Sequence, residues 1–262
     1  MLRTLFASLF LLVISAGPVQ AETPKYIAAG NCAWPPMEYV NESGQPIGYT
    51  IDFLNAVAKE AGFEVEFKNV GWDGIFAGVG AKRYDIIASS VTVTEERKKF
   101  LDFSDAYFSV QQALIVPKDV DVKDMAEMEG KRLGVQIGTT GHLLLMKNPK
   151  MKPEAREEVG LAVEALMMGR MEGVVCDDPI AYDFVLGNPR FADKLKVAFV
   201  IPVDEPEEYA FAIEKGNTKL LDLLNKGIAS VKEKGIDEEL RQKWIGGKPI
   251  TDPGKGDAPE AQ

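Results

Sequence analysis

Ser89-Ser90-Val91-Thr92-Val93-Thr94-Glu95-Glu96-Arg97 follows directly on the apolar run Tyr84-Asp85-Ile86-Ile87-Ala88. The second run ends in the short apolar stretch Ile86-Ile87-Ala88, as a buried strand does. The first places four hydroxyls and one arginine within nine residues. Two readings stand at this point. One is a pocket wall with a guanidinium at its end, since arginine presents a planar fork of donors that pairs two-pronged with a carboxylate. The other is a strand end, a turn and a short helix capped by Thr94, with Glu95 and Glu96 in the first turn where the helix dipole favours them and Arg97 in solvent.

Outward from that stretch, strand-like and helix-like segments alternate, the pattern of an α/β protein. Residues 26–29, 63–67, 86–88 and 113–117 read as strands in the first part of the chain. Residues 51–61 read as a helix with Thr50 as its N-cap and Gly62 just past its end, and residues 74–81 as a short glycine-rich helix. After Pro117 the rhythm restarts. Residues 132–136, 173–176 and 195–201 read as strands, and Gly138-Thr139-Thr140-Gly141 opens a helix. Residues 148–158 read as a loop grading into helix, 161–168 as helix with Met167 and Met168 as core filler, and Asp178-Pro179 as the N-cap and first position of another helix. Residues 209–213 form a last strand before two helices, 218–232 and 237–244, so the chain returns to its first half.

Composition narrows the classes of function. Arg3, the apolar run 5–16 and the small residues ending at Ala21 have the layout of a secretory signal peptide cleaved after Ala21. The expected mature protein is exported to the periplasm, with no membrane-spanning segment. A formal net charge of −10 argues against nucleic acid or an anionic membrane surface as partner. One histidine, His142, excludes a multi-histidine metal site and reads as an ordinary helix residue, so neither metal nor cofactor is expected. Cys32 and Cys176 are compatible with a disulfide in an oxidising compartment, but spacing cannot decide it, and two buried or free thiols are the plainer reading. The final stretch, 249–262, is rich in proline, glycine and charge and is expected to be disordered.

Ligands of open α/β sheets bind at the carboxyl ends of strands. The segments that follow the strands offer Asn31 with Trp34 and Glu38, then Trp72, then Ser89, Ser90, Thr92 and Arg97, then Gln136 with Thr139 and Thr140, then Asp177. Each has a bland alternative: a surface clamp or core indole for the tryptophans, a tight turn for Gly138 to Gly141, a cap for Asp178. Gly138-Thr139-Thr140-Gly141 lacks the lysine of a phosphate loop, which argues against nucleotides. Arg97 in one half and Asp177 in the other complement the two charges on the α-carbon of an amino acid.

Trp34-Pro35-Pro36-Met37-Glu38, Gly48-Tyr49-Thr50-Ile51-Asp52, Thr92 to Arg97, Phe103-Ser104-Asp105-Ala106-Tyr107, Gly130 to Val135, Gly138-Thr139-Thr140 and Lys243-Trp244 together resemble the amino-acid-binding family of periplasmic solute-binding proteins that serve ABC importers. The resemblance runs from Tyr26 to about Gly247. It implies two lobes, each a mixed, mostly parallel sheet flanked by helices, with lobe 1 formed by 22–111 and 205–248 and lobe 2 by 112–204, joined by two strands near Gln111-Gln112 and 202–206. It implies that Arg97 and Thr140 hold the ligand's carboxylate, that Ser90 and Thr92 meet its ammonium and carboxylate through backbone carbonyl and hydroxyl, that Asp177 pairs with its ammonium, and that Trp34 and Trp72 flank its side chain. Asn31, Ser89 and Gln136 then meet the far end. The partners implied are a free amino acid and a membrane permease, with the binding protein a monomer. Many members specific for basic side chains carry aspartate at the place of Asn31, and many carry an aromatic-Asp-Ile-Asp sequence where Thr50 stands. A polar ligand, glutamine or a basic amino acid, is the expectation. A cleft enzyme of the dehydratase type and a soluble sensor for a membrane receptor are the alternatives.

Overall fold

The computed structural model of the chain describes residues 22–246. The leader ending at Ala21 and the tail at 249–262 lie outside the described residues.

Two five-stranded mixed sheets carry the fold. In the first, Lys25–Gly30 lies between Glu64–Asn69 and Ile86–Ile87, parallel to both, and Ala212–Glu214 and Leu101–Phe103 complete the sheet on the far side of Ile86–Ile87. In the second, Arg132–Gln136 lies between Lys152–Arg156 and Gly173–Asp177, parallel to both, while Gln112–Pro117 runs antiparallel to Gly173–Asp177 and to Leu195–Val200. The central strands are uniformly buried, as the apolar runs Ala113 to Val116 and Val174 to Cys176 require of strands covered on both faces.

Three short strands, Ala33–Trp34, Glu38–Val40 and Pro46–Ile47, separate the first strand from helix Tyr49–Ala61, which packs on helix Thr218–Glu233. Close contact rests on Gly227, where a Cβ would come within 2.5 Å of the Val57 carbonyl. Beside these helices sits an aromatic cluster of Tyr49, Phe53, Tyr107, Phe108, Tyr209 and Phe211, all buried, with Tyr107 and Phe211 stacked at 4.7 Å between ring centroids.

The chain passes between the sheets twice. Phe108–Val110 leads out of the first sheet toward Gln112–Pro117 of the second, and Glu207–Tyr209 leads back from Leu195–Val200 toward Ala212–Glu214. The two passages pair antiparallel, Val110 with Glu207 and Phe108 with Tyr209. Asp178 braces the outgoing passage by accepting the Gln111 N–H at 3.0 Å.

Four local readings are corrected. Thr50 is not a cap: the helix begins at Tyr49 behind Gly48, whose φ of 135° only glycine adopts comfortably, and Thr50 is buried inside the first turn. Residues 152–156 are a strand, not loop grading into helix; Lys152–Arg156 is an edge strand, which explains its proline and its charges. Asp177, not Asp178, stands at the cap position of helix Asp178–Tyr182, and its side chain does not cap. Met167 packs against the core as expected, but Met168 is 59% exposed. Among the described residues no helix is long and apolar enough to cross a membrane.

Candidate functional site

The carboxyl ends of both sheets face one cavity. It is lined by Asn31, Trp34, Trp72, Ser89, Ser90, Thr92, Arg97, Gln136, Thr140 and Asp177, the ten residues singled out from the sequence, together with Glu38 and Thr139. Asn31 follows strand Lys25–Gly30, Ser89 and Ser90 follow Ile86–Ile87, Gln136 ends Arg132–Gln136, and Asp177 ends Gly173–Asp177.

Arg97 sits on the short helix Glu95–Lys98, whose N-cap Thr94 accepts the Arg97 N–H at 3.2 Å. Its side chain turns inward and is only 7% exposed, so the solvated alternative does not hold. One guanidinium nitrogen, Nη1, donates to the Thr92 carbonyl at 2.7 Å. The other, Nη2, donates to the Gly138 carbonyl at 3.2 Å, across from the first half of the fold to the second. The guanidinium carbon lies 5.7 Å from the Trp72 ring centroid and 5.1 Å from that of Phe76, within cation–π range. Burial lowers its pKa to about 10, so it stays charged at neutral pH.

Asp177 faces it from the second sheet. Its carboxylate accepts from Gln112 Nε2 and from the Tyr209 hydroxyl, and that hydroxyl accepts from the Trp34 indole N–H at 3.4 Å. Burial, reinforced by the charge of Glu207, pushes Asp177 up to about 7. Trp34 is therefore fixed by a polar handle at one end while it packs in the core at the other.

At a third corner the Asn31 N–H donates to Ser89 Oγ at 2.9 Å, and Gln136 Nε2 donates to Asn31 Oδ1 at 3.3 Å, joining the two halves again. Gln136 Oε1 is buried with no hydrogen-bond partner. In the cavity lining Ser90 holds a φ of 47°, a left-handed conformation that costs a residue with a side chain of order 1–3 kcal/mol. Its hydroxyl donates to Glu38 Oε2 at 2.9 Å, while Glu38 Oε1 has no partner. Burial pushes Glu38 up to about 8, so it is largely protonated at neutral pH.

Two residues of the site were not anticipated. Gln112 bridges Asp177 and Thr140, and Glu207 accepts from Thr92 at 3.1 Å and from Thr140 at 2.6 Å. Glu207 belongs to the returning passage and Gln112 opens the second-sheet strand that the outgoing passage enters, and both places read in sequence only as connections. Elsewhere, Cys32 and Cys176 are buried free thiols, burial raising Cys32 to about 12. His142 is a helix residue that accepts the Gly138 N–H at 3.2 Å. Among the described residues no cluster of three His, Cys, Asp or Glu could hold a metal ion.

Two mixed α/β sheets closed over one polar cavity, joined by a paired double crossing, define a two-part small-molecule-binding protein. The chain belongs to the bacterial extracellular solute-binding proteins, family 3, which it matches over residues 27–247. It is 32% identical over 238 residues to a protein of Neisseria gonorrhoeae described as a probable histidine-binding protein, covering 88% of this chain and 87% of that one. Among solved structures it is similar to an ancestral arginine-binding protein bound to arginine, with 34% identity, a TM-score of 0.79, and coverage of 85% of this chain and 98% of that one. The form of an ancestral arginine-binding protein bound to glutamine is similar at 33% identity and a TM-score of 0.79, over 86% of this chain and 99% of the other.

Proposed function

We propose that this protein captures a free polar or basic L-amino acid and delivers it to an ABC permease. The carrying observation is that Arg97 and Asp177, from opposite sheets, face one cavity with Thr92 and Thr140 beside them. Arg97 and the Thr140 and Thr92 hydroxyls take the α-carboxylate. Asp177 and the Ser90 carbonyl take the α-ammonium. Trp34 and Trp72 flank the side chain, and Asn31, Ser89 and Gln136 meet its end.

The far corner favours a ligand that donates hydrogen bonds. Gln136 Oε1 is a buried acceptor with no partner, and leaving such an atom unpaired costs about 1–3 kcal/mol. An amide, imidazole or guanidinium satisfies it, whereas an acidic side chain does not. The similarity to histidine- and arginine-binding proteins, and to a relative bound to glutamine, supports the same range.

In this reading residues 22–111 and 205–248 form one lobe and 112–204 the other. They close about the paired passages Phe108–Val110 and Glu207–Tyr209. The leader is removed after Ala21, and the monomeric mature protein works in the periplasm. A thermal-shift screen of the twenty common amino acids tests the proposal. One or a few with amide, imidazole or cationic side chains are expected to raise the melting temperature; no shift with any of them, confirmed by calorimetry, would overturn it.

A further inference from the structure

Glu207 is a carboxylate that two cavity threonines, Thr92 and Thr140, both address. Thr92 Oγ1 from the first half and Thr140 Oγ1 from the second donate to the same oxygen, Glu207 Oε2, at 3.1 and 2.6 Å, and Gln112 Nε2 lies 3.4 Å from the other oxygen. Arg97 is close enough that the charge of Glu207 supports its protonation more than any other group does. Glu207 thus stands, with its hydroxyl donors and its nearby guanidinium, in the kind of cradle that a ligand carboxylate requires.

A threonine hydroxyl has a single proton to donate. While Thr140 donates to Glu207 it cannot donate to a ligand, and a second carboxylate brought to Arg97 would face Glu207 as a like charge. Glu207 is half-buried at the start of a short strand, next to the exposed residues 202–205, so its side chain has a route to solvent.

We propose that Glu207 is an internal competitor for the ligand: its carboxylate occupies the Thr92 and Thr140 hydroxyls in the ligand-free cleft, holds the two halves together there, and leaves when an amino-acid carboxylate takes its place. This rests on the amino-acid-binding reading and adds two consequences. Affinity is set by an exchange of carboxylates and not by simple addition of one. A ligand whose carboxylate is blocked as an amide cannot complete the exchange, so the cleft selects for a free carboxylate even among molecules with the right side chain.

The sign of one substitution separates this from a direct contact between Glu207 and the ligand ammonium. Titration calorimetry of wild type, Glu207→Gln and Glu207→Ala with L-arginine, L-histidine and L-glutamine is expected to show tighter binding in both variants, by about tenfold in Glu207→Ala, or about 1.4 kcal/mol. Equal or weaker binding in the variants overturns the proposal. A second arm needs no ligand. In small-angle scattering, ligand-free Glu207→Ala is expected to be more extended than ligand-free wild type, and equal dimensions overturn the latch. If wild type binds none of the three amino acids, the amino-acid reading falls for those ligands, while the scattering arm still decides whether Glu207 holds the halves together.

Discussion

Arg97 is the residue on which the ligand's carboxylate would depend, and its replacement has a definite expected cost. It is buried, and its guanidinium bridges the Thr92 and Gly138 carbonyls. In Arg97→Ala a bound carboxylate would lie in the cleft without its counter-charge, weakening binding by at least about 3 kcal/mol, or more than about a hundredfold. Calorimetry against the ligand found in the screen measures this, and a loss of tenfold or less would count against the assigned role. Asp177 predicts a pH dependence of affinity. Burial pushes its carboxyl up to about 7, and an ammonium ligand favours the ionised form. Affinity should therefore fall as pH drops below about 7, approaching tenfold per unit, with protons released on binding at pH 6; a flat profile from pH 8 to 5.5 would refute it. Glu38 predicts a pH dependence of stability. Its pKa is raised from 4.5 to about 8 in the folded protein, so the folded state binds the proton more tightly than the unfolded chain. Its contribution is fully present below 4.5 and is lost as pH rises toward 8, at up to about 1.4 kcal/mol per unit. Glu38→Gln removes that slope, so urea melts should show the variant gaining on wild type from pH 5 to 8; curves that stay parallel would exclude it.

At the scale of elements, helix packing and strand edges decide what the chain tolerates. Gly227→Ala raises intrinsic helix propensity, yet the added methyl would meet the Val57 backbone. We expect a net loss of about 1–3 kcal/mol from overpacking, read by chemical denaturation; a neutral or stabilised variant would show that the Tyr49–Ala61 and Thr218–Glu233 helices can move apart. The elements legible in sequence were those with a long apolar rhythm or an unambiguous stop, such as the helix ending at Gly62 and the strand Arg132–Gln136. Lys152–Arg156 was not, because an edge strand of alternating charge and one proline has the composition of a loop until a neighbour pairs with it. Thr50 was misread because threonine suits a cap. The backbone turn at Gly48 starts the helix earlier and leaves the Thr50 hydroxyl facing Ser90 and Tyr107, each at 3.4 Å.

For the molecule as a whole, a ligand that holds both halves should stabilise them together. At a hundred times its Kd it adds about 2.7 kcal/mol, which for a chain of this size raises the melting temperature by roughly 5–11 °C. Scanning calorimetry should show that shift for wild type and little of it for Arg97→Ala at the same ligand concentration; equal shifts would place the ligand elsewhere. The sequence alone determined the α/β class and the return of the chain to its first half, from local signals: apolar runs and turn residues. The residues expected in the cavity came from the rule that strand ends carry the site together with the family resemblance. Arg97 and Asp177 were legible because each sits immediately after a recognisable strand or cap, and their family resemblance reinforced it. Tertiary structure alone decided that Gln112 and Glu207 hydrogen-bond to the cavity's Asp177, Thr92 and Thr140, and that the buried Glu38 accepts from Ser90. Glu207 belongs to an acidic, proline-containing connection whose composition suits solvent as well as a cleft. Only its pairing with Val110 in a long-range register turns that carboxylate toward Thr92 and Thr140. Such a register joins residues far apart in the chain, so no local preference in the sequence encodes it.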